Sequence, residues 1–295
     1  MEGLKKSEKL SNYTNFKIGG PADYFYILKD AKKLPELIKF AKKNKLPYII
    51  LGRGTNVVFD DKGFRGLVIK NELQNIKITK NLIEVESGVL VARLIQEAMK
   101  NGLSELEKWV GLPGTVGGAV RGNAGCNSLE TKDILISAKI FNPKNCKFKT
   151  VKNSYFKFKY RDSILKKNNE ILISATFRLS KNKLSKEDRY KLITEISGAR
   201  SGKQPSEMSA GSFFKNPSKT KPAGMLIEQS GLKGKAIGGA KISEKHANFI
   251  INKGNAKSSD IVKLAKLIKR VVKAKFGTSL KEEVQIFSTK GRLKL

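Results

Sequence analysis

Two glycine-rich segments hold the residue types best suited to chemistry in this chain. They are Leu51-Gly52-Arg53-Gly54-Thr55-Asn56 and Gly111-Leu112-Pro113-Gly114-Thr115-Val116-Gly117-Gly118-Ala119-Val120-Arg121-Gly122-Asn123-Ala124-Gly125. Glycine lacks Cβ and reaches positive φ, so consecutive backbone N–H groups can converge on an anion that a bulkier residue would hold away. Arg53 adds a fixed positive charge, while Thr55, Asn56, Thr115 and Asn123 add neutral groups suited to phosphate, ribose or a heterocycle. This mixture predicts a ligand that carries a diphosphate. Neither segment contains G-x-G-x-x-G, so the dinucleotide fold with that fingerprint is not indicated.

Other reactive residue types are scarce. The single histidine is His246, and the two cysteines, Cys126 and Cys146, form no C-x-x-C pair, so neither a metal site nor a disulfide is expected. The formal net charge is +33, from 59 Lys+Arg against 26 Asp+Glu. A basic nucleic-acid-binding protein is one reading of that charge. The lysines are spread along the whole chain, however, with no zinc finger, RNP motif or aromatic-interleaved stripe to concentrate them, and no nucleic-acid partner is expected. The segment Met1-Glu2-Gly3-Leu4-Lys5-Lys6-Ser7-Glu8 has no apolar run resembling a secretory signal, and no later segment reaches membrane-spanning length without charges. A soluble cytoplasmic protein with no membrane insertion is the expectation, and the oligomeric state is left open.

Periodicity outlines the helices and strands around these residues. Asp23-Tyr24-Phe25-Tyr26-Ile27-Leu28 reads as a strand, Leu34, Leu37, Ile38 and Ala41 recur at helical spacing behind Pro35, and Tyr48-Ile49-Ile50-Leu51 is a short strand ending in the first glycine segment. Leu82-Ile83-Glu84-Val85-Glu86 alternates as a strand, and Val91, Leu94, Ile95 and Ala98 predict a helix closed by Asn101-Gly102. Strands are expected at Lys139-Ile140-Phe141 and across Ile171 to Leu179. Ser185 with Asp188 resembles a capping box at a domain boundary, opening a helix with Tyr190, Ile193 and Ile196 on one side. Ile261, Leu264, Ala265, Ile268, Val271 and Val272 form the apolar stripe of a further helix with a lysine-rich exterior.

Three further blocks are Tyr160-Arg161-Asp162-Ser163, Ser209-Ala210-Gly211-Ser212-Phe213-Phe214-Lys215-Asn216-Pro217 and Leu280-Lys281-Glu282-Glu283-Val284. In this order, together with the glycine segments, they resemble the UDP-N-acetylenolpyruvoylglucosamine reductase family of peptidoglycan precursor synthesis. Matching stretches also include Phe16 to Ala22, Leu226 to Gly234, Gly238-Gly239-Ala240 and His246-Ala247-Asn248-Phe249. The resemblance implies an α+β chain with a FAD-binding fold of the vanillyl-alcohol-oxidase (PCMH) type in two subdomains, residues 1–70 and 71–184, followed by an α+β substrate-binding domain, residues 185–295.

It also implies FAD as cofactor, NADPH as hydride donor and UDP-N-acetylglucosamine enolpyruvate as substrate, reduced to UDP-N-acetylmuramate. The flavin residues implied are Arg53, Gly54, Thr55, Asn56, Gly114, Thr115, Gly117, Gly118 and Asn123. Arg161 is the residue implied to hold the substrate carboxylate, which suits a permanently charged fork. Ser212 is implied as proton donor and Glu283 as the partner at the carboxylate, preferred over Glu282 because it directly precedes the valine. A serine hydroxyl is a poor acid, so Lys203, Lys215 or a water chain would have to assist it. Lys203, Lys215, Asn216 and His246 are the substrate-binding residues implied.

Two features depart from the family pattern: Cys126-Asn127-Ser128 replaces a small residue, an aromatic and glycine, and the interval from Arg161 to Ser212 leaves no room for an extra substrate-covering loop. A shorter family type with a more open site follows. Cys126 also keeps open an alternative, a flavoprotein of the same fold that oxidises an alcohol or a sugar.

Overall fold

The apolar stripes fold as their spacing predicts. In this computed structural model, Leu34–Lys43 is a helix that buries Leu34, Leu37, Ile38 and Ala41, and Val91–Lys100 is a helix that buries Val91, Leu94, Ile95 and Ala98. The helix Ser258–Phe276 buries Ile261, Leu264, Ala265, Ile268 and Val272, leaving Val271 half-buried at the edge of the stripe. The structure describes residues 1–295, apart from the side chains of Lys186, Arg200 and Ser201. Helices and strands are mixed along the chain, so the class is α+β.

Two compact units result. The first takes in Met1–Phe25, Arg53–Val68 and Ser201–Leu295, and the second Tyr26–Gly52 and Ile69–Arg200. They therefore do not follow the segments 1–70, 71–184 and 185–295 in order. The physical reason in the first unit is a common core: Phe16, Ile18 and Val58 belong to the same buried cluster as Phe213, Phe214, Ile250 and Ile286.

The first unit contains a four-stranded sheet in the order Ser209–Ser212, Phe249–Asn252, Ala240–Ile242 and Ala236–Ile237. It also contains Val57–Phe59 paired in parallel with Gln285–Ser288, in register from Val57 opposite Gln285 to Phe59 opposite Phe287. In the second unit a five-stranded sheet runs in the order Lys147–Lys152, Leu135–Asn142, Ile171–Arg178, Leu82–Glu86 and Ile76–Thr79. Its buried face packs with Trp109, Val116, Val120 and the helix Val91–Lys100.

The helix Lys186–Lys203 opens as its capping residues predict, with the Asp188 N–H donated to Ser185 Oγ at 3.0 Å. Its apolar side is a correction. Tyr190 is 74% exposed, and the buried residue is its neighbour Arg189. A charged partner explains the difference: Arg189 donates from Nε to Glu107 Oε1 at 2.5 Å, from Nη1 to the Met99 carbonyl at 3.2 Å and from Nη2 to the Leu103 carbonyl.

The departure at Cys126-Asn127-Ser128 is a tight hairpin. Gly125–Cys126 pairs antiparallel with Leu129–Glu130, and the two residues between them, Asn127 (φ 48°) and Ser128 (φ 64°), both take left-handed backbone. Asn127 Nδ2 donates to the Lys108 carbonyl at 2.9 Å and Trp109 Nε1 to the Leu129 carbonyl at 3.0 Å, which hold the hairpin down. Such mirror-image turns favour glycine at the second position, because serine there carries a Cβ penalty. Ser128→Gly is expected to stabilise the fold by about 0.5–1 kcal/mol after the entropy of the unfolded chain is set against that penalty. Urea denaturation checks this, and an unchanged or lower midpoint would refute it.

Candidate active site

In the first unit, Ser212 and Glu283 are joined through one backbone residue. Ser212 ends the strand Ser209–Ser212, opposite Phe249, after an irregularity in register at which Gly211 takes φ 75°. The next residue, Phe213, is buried, and its carbonyl accepts the N–H groups of Glu283 at 2.9 Å and Val284 at 3.3 Å. Lys215 N–H then donates to the Lys281 carbonyl at 2.9 Å, and Phe214 bridges to Glu282. A long stretch of chain separates Ser212 from Glu283, yet this short antiparallel contact brings them together.

The same contact distinguishes the two adjacent carboxylates. Glu282 pairs with Lys269 at 2.5 Å, both side chains largely buried. Glu283 instead gives its backbone N–H to the Phe213 carbonyl. Asn56 braces the segment, with Nδ2 donating to the Glu283 carbonyl at 3.2 Å and its own carbonyl accepting Gln285 N–H at 3.0 Å. Asn56, expected as a flavin residue, thus commits one Nδ2 hydrogen to the segment that carries Glu283. Beside it, Gly54 is required by space and by φ 72°, since a Cβ there would collide with the Tyr13 carbonyl oxygen. Arg53 is exposed and Thr55 half-buried.

The implied substrate residues of this unit lie on several elements. Asn216 accepts the Ala223 N–H on Oδ1 at 3.0 Å, at the start of the helix Ala223–Gln229. His246 lies against that helix, where a Cβ on Gly224 would meet its Cε1 at 3.0 Å. His246 Nδ1 accepts the Asn248 N–H at 3.1 Å, so the ring is the neutral tautomer with its proton on Nε2. Burial pushes the His246 pKa below the ordinary histidine value. Its stabilising contribution is accordingly present above that ordinary value and lost as pH falls through the folded-state one. Lys203 is exposed at the end of the helix Lys186–Lys203.

In the second unit, Thr115 caps the helix Val116–Gly122, accepting the Gly118 N–H on Oγ1 at 3.4 Å. The Val116 N–H goes to the Val89 carbonyl at 2.9 Å and the Gly117 N–H to the Ser87 carbonyl at 2.8 Å. The Val116 and Gly117 N–H groups therefore serve the protein. Gly118 remains exposed, with only Thr115 Oγ1 within reach of an added Cβ, at 3.8 Å.

Asn123 also has its side chain engaged within the protein. It is fully buried in left-handed backbone, donating from Nδ2 to Glu130 Oε2 at 3.0 Å and to the Lys159 carbonyl at 3.1 Å, and accepting the Lys132 N–H at 3.0 Å. Both Nδ2 hydrogens are spent, so its amide braces the chain where flavin contact was expected. What it braces is the Arg161 turn. Lys159 and Asp162 exchange two backbone hydrogen bonds of 3.1 Å, with Tyr160 and Arg161 at the tip, and Arg161 takes φ 51°. Arg161 is half-buried; its Nη2 donates to the Gly125 carbonyl at 3.0 Å, and its guanidinium lies 5.5 Å from the Tyr160 ring centroid.

Comparison with known proteins identifies the family. The family model described as UDP-N-acetylenolpyruvoylglucosamine reductase, C-terminal domain, matches residues 204–287, and one described as FAD binding domain matches residues 22–147. UDP-N-acetylenolpyruvoylglucosamine reductase of Clostridium novyi is 40% identical over 288 residues, covering 97% of this chain and 92% of that relative. The chain belongs to the UDP-N-acetylenolpyruvoylglucosamine reductase family. The reductase of Caldicellulosiruptor bescii is 42% identical over 282 residues, covering 95% of this chain and 89% of that one. A crystal structure of the reductase from Thermus caldophilus superposes with a TM-score of 0.82 at 32% identity, over 96% of this chain and 99% of that one.

The expected reductase fold is thereby present, and the FAD binding domain spans both glycine segments. The residues there suit such a group: Arg53 offers an exposed charge, and Gly118 an exposed backbone that no side chain crowds. Sequence reasoning did not single out Asn248. It falls in a stretch that carried the resemblance, but its partners lie 34 residues away at Phe214.

Proposed function

We propose that this chain catalyses the NADPH-dependent reduction of UDP-N-acetylglucosamine enolpyruvate to UDP-N-acetylmuramate. When bound, FAD reduced by NADPH supplies hydride to the terminal carbon of the enolpyruvyl group. Negative charge then builds on the substrate carboxylate, and Arg161 is the group assigned to hold it through its charged fork. Ser212 delivers the proton to the carbon beside the carboxylate. Glu283 assists at that carboxylate through a shared proton or hydrogen bond. The single observation that carries this reading is the hydrogen bond from Glu283 N–H to the carbonyl of Phe213, the residue next to Ser212, with Glu282 already occupied by Lys269.

Lys203, Lys215, Asn216 and His246 are assigned to substrate recognition, with Lys215 and Asn216 toward the UDP diphosphate and sugar. The neutral His246 would do so as a donor from Nε2. Arg53, Gly54, Thr55, Asn56, Gly114, Thr115, Gly117, Gly118 and Asn123 are assigned to the flavin, with the Asn123 side chain serving as a brace. By function, residues 1–70 and 71–184 serve the flavin and residues 185–295 the substrate. The reaction places the protein in peptidoglycan precursor synthesis, and through the cell wall in cell shape and division. Its nucleotide substrates place it in the cytoplasm. Relatives at 39% to 42% identity bear the reductase name, which supports this reading over an alcohol- or sugar-oxidising flavoprotein. No helix among the described residues is long and apolar enough to cross a membrane.

An anaerobic visible spectrum tests the proposal. Flavin bands of the purified protein are expected to bleach with NADPH and to return on addition of UDP-N-acetylglucosamine enolpyruvate. Bands that bleach but stay bleached with that substrate would refute the substrate assignment. A protein that takes up no FAD would remove the whole reading.

A further inference from the structure

We infer that Asn248 is a positioning residue for Ser212, acting through the backbone of Phe213 and Phe214. The inference rests on the reading of Ser212 as proton donor. Asn248 is 3% exposed, and each of its polar groups is engaged. Its carbonyl accepts the Phe213 N–H at 2.7 Å and its N–H donates to His246 Nδ1 at 3.1 Å. Its side chain accepts the Phe214 N–H on Oδ1 at 2.9 Å and donates from Nδ2 to the Phe214 carbonyl at 2.8 Å.

This arrangement solves a local problem. The strand Ser209–Ser212 is in register with Phe249–Asn252 only at Ser209 opposite Ile251 and Ser212 opposite Phe249, so the ladder stops at the residue that must be placed. A primary amide presents a donor and an acceptor in one plane, as a peptide unit does. The Asn248 side chain therefore supplies the next rung, and it does so in a buried setting where a broken pair is costly. On its far side Phe213 is held by the N–H groups of Glu283 and Val284. Ser212 is covalently attached to this clamp, so the Cα–Cβ bond about which its hydroxyl rotates is held in place. Proton transfer tolerates little error of position, a misplacement of about 1 Å costing on the order of 10²-fold.

Asn248→Ala should retain FAD and be reduced by NADPH at the rate of the parent protein. Reoxidation by UDP-N-acetylglucosamine enolpyruvate should slow on the order of 10²-fold, with a larger solvent deuterium isotope effect as proton delivery becomes limiting. Faster hydrogen exchange at the Phe214 amide should accompany it, independently of turnover. If the alanine variant folds poorly, Asn248→Asp keeps the side-chain size and the acceptor for the Phe214 N–H while losing the donor to its carbonyl, and should slow reoxidation alone. Combining Asn248→Ala with Ser212→Ala should be no slower than Ser212→Ala by itself, because a positioning residue has nothing left to position.

Unchanged reoxidation in both Asn248 variants, with Ser212→Ala slow, would overturn the inference and leave the proton donor standing. Slowing that multiplies with that of Ser212→Ala would overturn it as well. Unchanged reoxidation in Ser212→Ala would remove the proton-donor reading, and this inference with it.

Discussion

Alanine at Ser212 will leave reduction of the bound flavin by NADPH close to the parent rate and slow reoxidation by the enolpyruvyl substrate by about 10²- to 10⁴-fold, the usual contribution of a positioned general acid. The asymmetry is the informative part. Reduction by NADPH needs no proton at the substrate carbon, whereas completing the lactyl product does. Ser212 is half-buried at the end of its strand, and losing one hydroxyl leaves the Phe213 bonds to Asn248 and Glu283 intact. A fold defect would depress both half-reactions. Stopped-flow absorbance of each half-reaction makes the comparison, and equal losses in the two would rule out Ser212 as the proton source.

The second large effect is on stability. Arg189→Leu is expected to cost roughly 3–5 kcal/mol, because it strands a carboxylate in the interior. Glu107 is 3% exposed, and Arg189 meets it at 2.5 Å while also donating to the Met99 and Leu103 carbonyls. The Met99 carbonyl, in the last turn of the helix Val91–Lys100, also accepts the Gly102 N–H at 3.1 Å, whereas the Leu103 carbonyl lies just beyond the helix end. Two separate penalties are therefore combined. Arg189→Leu with Glu107→Leu should recover the part due to the buried charge but not the part due to the carbonyls. Trp109, the one tryptophan of the sequence and fully buried two residues from Glu107, reports the transition by fluorescence in urea. Full recovery in the double variant would assign the entire cost to charge, and a loss below 1 kcal/mol in Arg189→Leu would mean that water reaches Glu107.

Much of this was legible from residue order alone. Period-3.6 stripes gave the helices Leu34–Lys43, Val91–Lys100 and Ser258–Phe276, because burial of one face is a local constraint that a short window records. Arg189 was not legible. Its neighbours Tyr190, Ile193 and Ile196 have the composition of a buried face, and the pull of Glu107, far away in sequence, leaves no mark in the window around Arg189. The glycine segments divide in the same way. Their composition pointed to a ligand, but it could not tell an amide aimed at an anion from the Gly117 N–H, which meets the Ser87 carbonyl.

Residue types in a fixed order were enough for the family resemblance, the α+β class and the choice of Arg161, Ser212 and Glu283 as candidates. Which groups are already engaged emerged from the fold. It paired Glu282 with Lys269, turned Asn123 and Asn56 into braces and made Asn248 the rung beyond Ser212. The physical reason is that a hydrogen-bonding group has a small, fixed number of partners. Whether those partners are solvent, ligand or backbone depends on contacts between residues that the chain order keeps far apart.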